Sequence, residues 1–588
     1  MGNVPPDIGP DQRHPGIRTS GERERMTITD TRTEEPDSAA SHGPGAASAS
    51  ATVTAPPARV AGWLVSADHT RIGRLYIGTS LLAAVAVLVV GTLVMAERID
   101  TGGTFLPTDT IDQLTTFLWL GLAFLVVVPL LLGVAIAVVP LQLGAPGIAY
   151  PRAAALAFWG WFLSGVVVVA AYLANGGPGG GESDAVDVFL VSFIVLLAAL
   201  ALGAACVAGT VITQRAPGMG LLDVPPFSFA SLVSAGALLL TLPVLAGTVA
   251  LLFVDHHYAR IVFGGNQGIM GEMGWSVLQP QTYVYAIPAL GLLAELFPVA
   301  AGRRQPTRAV VIGALGLAGA ATIGGAMQGT PTLDFDDVTP IQGLGQLVLY
   351  GITALLPVLP FLMVFGLGGL ALKSAVNSGG RPRPGAPFGF AVAAVLMGLV
   401  GALVGVLTPI EDLELLGTVY QEAQTYYLLF AGLLAGMGAV AYWGPKLWGR
   451  QLPEKAVGGL AALGLLGTVL AAFPYVIAGF LNQPLGAVDW DDLDGPIHIC
   501  NVAATVGFGL LALTVIGFGL LALRGFARGD VVGDDPWDAQ TLEWAVPSPA
   551  VAGVVPDLGL VRSPEPLLDA KEAVSAGASA GATDGGAA

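Results

Sequence analysis

The stretch "RLYIGTSLLAAVAVLVVGTLVM", residues 74–95, contains one charged side chain, Arg74, followed only by uncharged residues. An α-helix rises about 1.5 Å per residue, so a run of this length crosses the roughly 30 Å hydrocarbon core of a bilayer. Similar runs recur along the chain, in which 54% of the 588 residues are hydrophobic and only 11% are charged. The sequence therefore predicts an all-α integral membrane protein.

The apolar runs predict a twelve-helix bundle over residues 62–527. They cover residues 74–95, 111–140, 151–174, 186–213, 228–254, 274–300, 308–327, 342–373, 387–408, 418–446, 456–482 and 496–526. The 81 glycines often recur at small-x-x-x-small spacing, which lets helix backbones approach closely where lipid gives no hydrophobic drive for association.

Charged residues in the connections predict the orientation of the bundle. Every second connection is basic, and the residues concerned are Arg152, Arg215, Arg303, Arg304, Lys373, Arg381, Arg383, Lys446 and Arg450. The other connections are acidic, with Asp255, Asp334, Asp336, Asp337, Glu411, Asp412 and the run 489–494. Because basic loops stay inside, we expect a multi-pass protein of the plasma membrane of a prokaryote with both termini in the cytoplasm.

The two ends of the chain have a different composition from the spans. Residues 1–61 are rich in Pro, Ser, Thr, Ala and charge, which predicts a disordered cytoplasmic arm. Residues 528–588 are rich in Asp, Ala and Gly, which predicts a disordered acidic tail. The net charge of -17 without a basic patch argues against nucleic-acid binding, and two cysteines cannot form a disulfide framework.

Several short motifs occur in a familiar order: "WLVSADHTRIGRLYIG" (63–78), "PLQLGAPGIAYPR" (140–152), "TVYQEAQTYYLL" (418–429) and "FPYVIAGFLNQP" (473–484). With these motifs the chain resembles subunit I of the heme-copper terminal oxidases over about residues 62–526. The resemblance implies the twelve-helix fold of that subunit, and an ancestry in oxygen reduction coupled to electron and proton transport.

The positions that carry the family's chemistry are altered in this chain. The family's sixth helix has His-Pro-Glu-Val-Tyr, where the histidine binds copper, the glutamate passes protons and the tyrosine is cross-linked to the histidine. The same positions here read Gln279, Pro280, Gln281, Thr282 and Tyr283. The two heme-ligating histidines of the tenth helix correspond to Gln424 and Tyr426, and the ligand on the second helix corresponds to Leu118.

A count of histidines does not depend on this alignment. The chain has six, at His14, His42, His69, His256, His257 and His498, so none lies in 70–255 or 258–497. Neutral imidazole is the usual donor to copper and to these heme irons. We therefore predict neither a heme nor a copper cofactor, and no catalytic or metal-ligating residue.

The polar residues that remain are expected to surround the former cofactor pocket. They are Trp275, Gln279, Gln281, Tyr283, Glu422, Gln424 and Tyr426. Unpaired polar groups are costly in lipid, so a hydrogen-bonded network between the sixth and tenth helices is the first interpretation. A pocket for a quinone-like or other amphipathic ligand is the second. Glu422 is expected to be partly solvated, and Glu295 to reach the interface near Arg303.

These observations predict a non-catalytic structural or regulatory partner of a respiratory complex or of its assembly. Its partners would be membrane lipids and other subunits of that complex. Two alternatives stay open: an active terminal oxidase with nonstandard ligands, for instance Tyr426, and a carrier that uses the former heme cavity.

Overall fold

The computed structural model describes residues 66–99, 106–278, 284–328, 332–334, 339–486, 495–556 and 559–584. The predicted arm 1–61, the residues Gln279, Gln281 and Tyr283, and the acidic run 489–494 lie outside this part of the chain.

The described chain is almost entirely helical. The helices are α1 His69–Glu97, α2 Thr108–Leu120, α3 Val128–Gln142, α4 Pro151–Leu173, α5 Ser183–Thr213, α6 Pro226–His257, α7 Gly265–Met273, α8 Trp275–Leu278, α9 Ile287–Ala301, α10 Arg308–Ala318, α11 Thr322–Met327, α12 Pro340–Tyr350, α13 Val358–Asn377, α14 Ala386–Leu407, α15 Val419–Trp448, α16 Glu454–Phe480, α17 Pro496–Arg528 and α18 Pro566–Asp584. Two-residue strands β1 Arg450–Gln451 and β2 Asp530–Val531 pair antiparallel. A π-helical segment, Gly121–Val127, joins α2 to α3, so the second predicted span is continuous.

Within the described residues, eleven helices are long and apolar enough to cross a membrane. The difference from twelve lies at the seventh predicted span, 308–327, which is α10, a 3-10 turn at Gly319–Ala321 and α11. Glycines at 313, 316, 319, 324 and 325 explain the break, because glycine is a poor helix former. The all-helical membrane fold is confirmed.

Three segments form the centre of the bundle. The most apolar windows of the spans Thr110–Gln142 and Val419–Trp448 are completely buried, and that of Val284–Ala301 is 94% buried. Helices α1, α4, α5, α6, α14, α16 and α17 pack around these segments and around each other. The centre therefore corresponds to the second, sixth and tenth predicted spans.

Glycines allow the closest helix contacts, as the small-residue spacing predicts. A Cβ atom placed on Gly133 of α3 would lie 2.4 Å from the Cβ of Tyr76 on α1. One placed on Gly432 of α15 would lie 2.4 Å from Val127 of the π-helical segment. These distances leave no room for any larger residue at the crossings.

The tail after α17 is ordered over much of its described part, where the sequence predicts disorder. Strand β2 pairs with β1 just after α15, and Leu542, Glu543 and Trp544 are buried. Arg304 of the bundle forms ion pairs with Asp569 and Glu572 of α18. The overall composition is that of a disordered segment, but a few aromatic and aliphatic side chains are enough to attach it to the bundle. We call this end of the bundle, where α1 begins and α17 ends, the tail face.

Candidate functional site

A buried ion pair joins α1 to α15 at the end of the bundle opposite the tail face. Arg98 follows the last residue of α1, and Glu422 lies in the first turn of α15. The Nη1 atom of Arg98 lies 2.8 Å from Oε2 of Glu422, and neither side chain is exposed. Helix α15 begins here because the side chain of Thr418 caps it, accepting from the backbone N–H of Tyr420 at 3.2 Å. A carboxylate in the first turn also faces the positive end of the helix dipole.

Both carboxylate oxygens of Glu422 have further donors. The hydroxyl of Tyr426, one turn later on the same helix face, donates to Oε2 at 2.8 Å. The backbone N–H of Gly486 donates to Oε1 at 3.0 Å. The indole N–H of Trp119 donates to the Tyr426 oxygen at 3.1 Å. A charge buried at this depth is tolerated only when such partners surround it.

Arg98 is held from the α16 and α17 sides. Its Nη1 donates to the hydroxyl of Tyr475 at 3.2 Å, and its guanidinium lies 5.7 Å from the centre of that ring. Its backbone carbonyl accepts from Asn501 Nδ2 at 2.8 Å. The Nε and Nη2 atoms of Arg98 have no hydrogen-bond partner within the described residues. We call Arg98, Trp119, Glu422, Tyr426 and Tyr475 the Arg98 network.

Aromatic side chains pack beside this network. The ring of Tyr426 stacks on Phe430 with centroids 5.8 Å apart, and meets the edge of Phe508 at 5.1 Å. Leu118, on the second predicted span, is completely buried and would contact a Cβ atom placed on Gly91. Leu118 and Tyr426, two of the three positions that the resemblance aligns with heme ligands, thus lie in a closely packed core.

Hydrogen bonds join the described part of the sixth predicted span to the tenth. Gln421 Nε2 donates to the carbonyl of Leu278 at 3.5 Å, and Thr425 Oγ1 donates to that of Val277 at 2.8 Å. Gln424 accepts from Thr408 at 3.3 Å, on the side of α14. The indole nitrogen of Trp275 is buried without a partner among the described residues. Glu422 and Tyr426 bond to each other and to residues of other elements. Gln279, Gln281 and Tyr283 lie outside the described residues, so the network between the sixth and tenth helices stays a prediction.

Two expectations for the carboxylates are wrong. Glu422 is completely buried instead of solvated, because Arg98 and two other donors take the place of water. Glu295 does not reach the interface beside Arg303: it is 2% exposed and accepts from Gln142 Nε2 at 2.6 Å and from the backbone N–H of Phe227 at 3.2 Å.

Glu295 belongs to a second buried polar cluster, at the tail face. Gln142 Nε2 also donates to Glu543 Oε1 at 3.1 Å, and Gln142 Oε1 accepts from Ser228 at 2.6 Å. Trp443 donates to the same Glu543 oxygen at 3.1 Å. Burial raises the pKa of the Glu543 carboxyl above its usual range. The tail thus completes a cluster that contains two carboxyl groups joined by one amide.

The described histidines lie at helix ends. His256 and His257 place their Nδ1 atoms 2.8 Å and 2.7 Å from the two oxygens of Asp187. The Nδ1 atom of His498 lies 2.8 Å from the carbonyl of Ile99. Among the described residues, no group of three or more His, Cys, Asp or Glu side chains is arranged to hold a metal ion.

The sequence interpretation missed Arg98, Trp119 and Tyr475. The sequence does contain a signal for Arg98, because Glu97 and Arg98 come just after a span whose one charged residue, Arg74, lies at its other end. Its partner lies 324 positions later, however, and no local pattern indicates that pairing.

Known proteins resemble this chain over most of its length. It is 27% identical to cytochrome c oxidase subunit 1 of Bacillus subtilis, over 87% of this chain and 83% of the relative. It is 27% identical to a putative cytochrome c oxidase subunit 1-beta of Streptomyces coelicolor, over 86% and 90% of the two chains.

The fold has a solved counterpart. A heme-copper terminal oxidase dimer determined by cryo-EM matches with a TM-score of 0.58 and 12% identity, over 85% of this chain and 89% of the other. The profile of the family described as "Cytochrome C and Quinol oxidase polypeptide I" matches residues 71–511. The protein is therefore a multi-pass integral membrane protein that belongs to the cytochrome c and quinol oxidase polypeptide I family.

Proposed function

We propose that this family member works without heme or copper, as a structural or regulatory partner of a respiratory complex or of its assembly. The observation that carries the proposal is the absence of histidine from 70–255 and 258–497, which includes the second, sixth and tenth spans. Without imidazole, these spans lack the usual donors to heme iron and copper.

The geometry around Tyr426 supports the proposal. Tyrosinate is a known heme ligand, but this hydroxyl donates its proton to Glu422 and accepts the indole N–H of Trp119. Phe430 and Phe508 pack against the ring itself. An oxygen engaged in this way does not fit an axial ligand to iron. The Arg98 network instead ties α1, α15 and α16 together, as expected of a polar core that replaces cofactor-mediated packing.

The orientation is part of the proposal. Arg304 and Lys446 are basic residues of the tail face, and Lys446 Nζ donates to the carbonyl of Val546 in the tail. Because basic connections stay inside, the tail face would be cytoplasmic. The ordered tail would then be accessible to cytoplasmic or membrane partners.

A spectrum of the purified full-length protein tests the proposal. We expect no heme bands in the reduced-minus-oxidised difference spectrum, no stoichiometric copper or iron, and no oxygen consumption. A catalytic relative purified in the same detergent serves as the positive control. Stoichiometric heme with oxygen consumption would establish the oxidase alternative instead.

Tyr426→Phe separates the two readings further. If Tyr426 were a ligand, the variant would lose or shift heme bands that the wild type shows. If the proposal is right, Tyr426→Phe changes only the stability of the protein. Affinity purification from membranes should in addition recover subunits of a respiratory complex, and their absence at every stage of assembly would contradict the partner role.

A further inference from the structure

An open apolar groove runs along the outside of the bundle between α1 and α17, the first and last membrane helices. Its volume is about 480 Å³. Apolar side chains form its walls, among them Ile77, Leu82, Ile516, Leu520 and Phe526, and Arg74 is its one charged lining residue.

The groove has the depth of a single leaflet. It extends along α1 from Arg74 to Val85, and along α17 from Val515 to Phe526. At about 1.5 Å per residue each wall is roughly 16 Å long, about half of the 30 Å hydrocarbon core. Because α1 begins and α17 ends at the tail face, the groove lies in the half of the membrane on that side. A partner helix is about 10–12 Å wide with its side chains, and a groove of about 480 Å³ is too small to hold one.

Both walls end in arginines at the tail face. On α17, Leu520, Arg524 and Arg528 are spaced four residues apart, so the arginines continue the face that lines the groove. Arg524 and Arg528 are exposed and have no carboxylate partner among the described residues. On α1, Arg74 donates from Nε to the carbonyl of Thr70 at 3.1 Å, which holds its guanidinium near the mouth of the groove.

Nearby acidic groups are fewer than the arginines. Asp68 lies 3.4 Å from Arg71, the next arginine on α1 towards the tail face, and also accepts from Thr70 Oγ1, which Arg74 contacts. Asp530, in β2, is the other acidic residue close in sequence to this end of α17. The mouth of the groove therefore keeps an excess of positive charge at the level of lipid headgroups. Basic pockets between membrane helices at such a level suit anionic headgroups.

We propose that this groove binds one anionic phospholipid of the tail-face leaflet, with an acyl chain along the apolar walls and the phosphate beside Arg74, Arg524 and Arg528. The apolar walls account for the chain. Arg524 and Arg528, which have no carboxylate partner among the described residues, account for the preference over zwitterionic lipid. The lipid would cover the seam where the first and last helices close the bundle.

Two glycines allow a test that keeps the fold. Gly78 and Gly519 both line the groove, and a Cβ atom built on either meets no atom within 4 Å. Leucine at these positions would fill the groove without a clash. Gly366 of α13 is exposed and also open around its Cβ position, so Gly366→Leu is a matched control.

The experiment is native mass spectrometry of the full-length protein from mixed micelles. The micelles contain equal amounts of phosphatidylglycerol and phosphatidylcholine with identical acyl chains. We expect the wild type to retain one phosphatidylglycerol with about tenfold preference. The double variant Gly78→Leu/Gly519→Leu should lose retention of both lipids about tenfold. Arg524→Gln/Arg528→Gln should retain a lipid but lose the preference.

The controls are Gly366→Leu and Arg381→Gln, an exposed arginine outside the groove, which should behave as wild type. Thermal unfolding in the same detergent verifies that each variant is folded. Equal retention of the two lipids by the wild type would overturn the proposal. So would full retention by the folded Gly78→Leu/Gly519→Leu variant.

Discussion

At the residue scale, the most consequential feature is the pairing of Arg98 with Glu422. A buried pair gains little over an apolar pair of the same shape, but removing one partner leaves an uncompensated charge. Three donor groups, from Arg98, Tyr426 and the backbone of Gly486, converge on the two carboxylate oxygens. The charge is therefore compensated only when α1, α15 and the backbone at Gly486 are all in place. The network therefore specifies how these elements assemble.

Glu422→Gln should destabilise the protein by about 3–5 kcal/mol, because it leaves Arg98 buried and charged without its counter-ion. Arg98→Met/Glu422→Gln should recover more than half of that loss. The measurement is denaturant unfolding in detergent, arranged as a double-mutant cycle. Glu411→Gln, at an exposed position of a 3-10 turn, is the control. Additive effects of the two single changes would contradict the pairing.

Glu543 gives a prediction for pH. Its carboxyl has a raised pKa through burial, so the folded state binds this proton more tightly than the unfolded state does. The stabilisation is complete below the unfolded pKa of about 4.3, and it is lost as pH rises through the folded pKa. Glu543→Gln should therefore raise Tm relative to wild type at pH 9 and show a smaller gain at pH 5.

Thermal unfolding at several pH values checks this prediction. The exposed Glu454→Gln is the comparison variant. A gain in Tm for Glu543→Gln that grows as pH falls would have the wrong sign and would contradict a raised pKa of Glu543.

At the scale of elements, close contacts at glycines set the distances between the central helices. Their i, i+4 recurrence in the sequence predicts tight packing, and Gly432 and Gly436 of α15 bear this out against Val127 and Leu130. The sequence does not say which helix lies opposite. That depends on the whole arrangement of the bundle, since many spans carry similar glycine patterns.

Gly133→Val should destabilise the α1–α3 crossing by about 1–3 kcal/mol or more, since overpacking forces backbone shifts. The added Cβ would lie 2.4 Å from Tyr76 and 3.1 Å from the carbonyl of Gly73, and a backbone atom cannot move aside easily. Unfolding in detergent measures the loss. Gly366→Leu, with open space around the substituted position, should show no comparable loss of stability. Equal losses in the two variants would contradict the explanation by overpacking.

At the scale of the whole molecule, the tail connects elements that are distant in sequence. Trp544 is 2% exposed, meets the ring of Tyr442 at a centroid distance of 5.2 Å, and lies under the ammonium group of Lys446 at 5.2 Å. Composition predicts disorder for this region because Ala, Gly and Asp dominate it. The tail is attached by a few buried side chains, and the average composition of the segment does not reveal them.

Trp544→Ala should release the tail, because deleting a buried tryptophan costs about 3–5 kcal/mol. Limited trypsin digestion should then cut at Arg562 and Lys571 several times faster than in wild type. Trp544→Phe keeps most of the apolar contact and should be intermediate. Unchanged cleavage in Trp544→Ala would show that this anchor does not hold the tail.

The sequence by itself determined that the protein is a helical membrane protein, where most spans lie, its family, and the absence of histidine from the central spans. These properties follow from local composition, from the recurrence of apolar runs and from short motifs. Only the tertiary structure decided that Glu422 meets Arg98, that Glu295 is buried against Gln142, and that the tail is attached. The physical reason is that a polar side chain in lipid must find its partner wherever the packed helices bring one. Those partners lie hundreds of residues away, where no periodic pattern reaches.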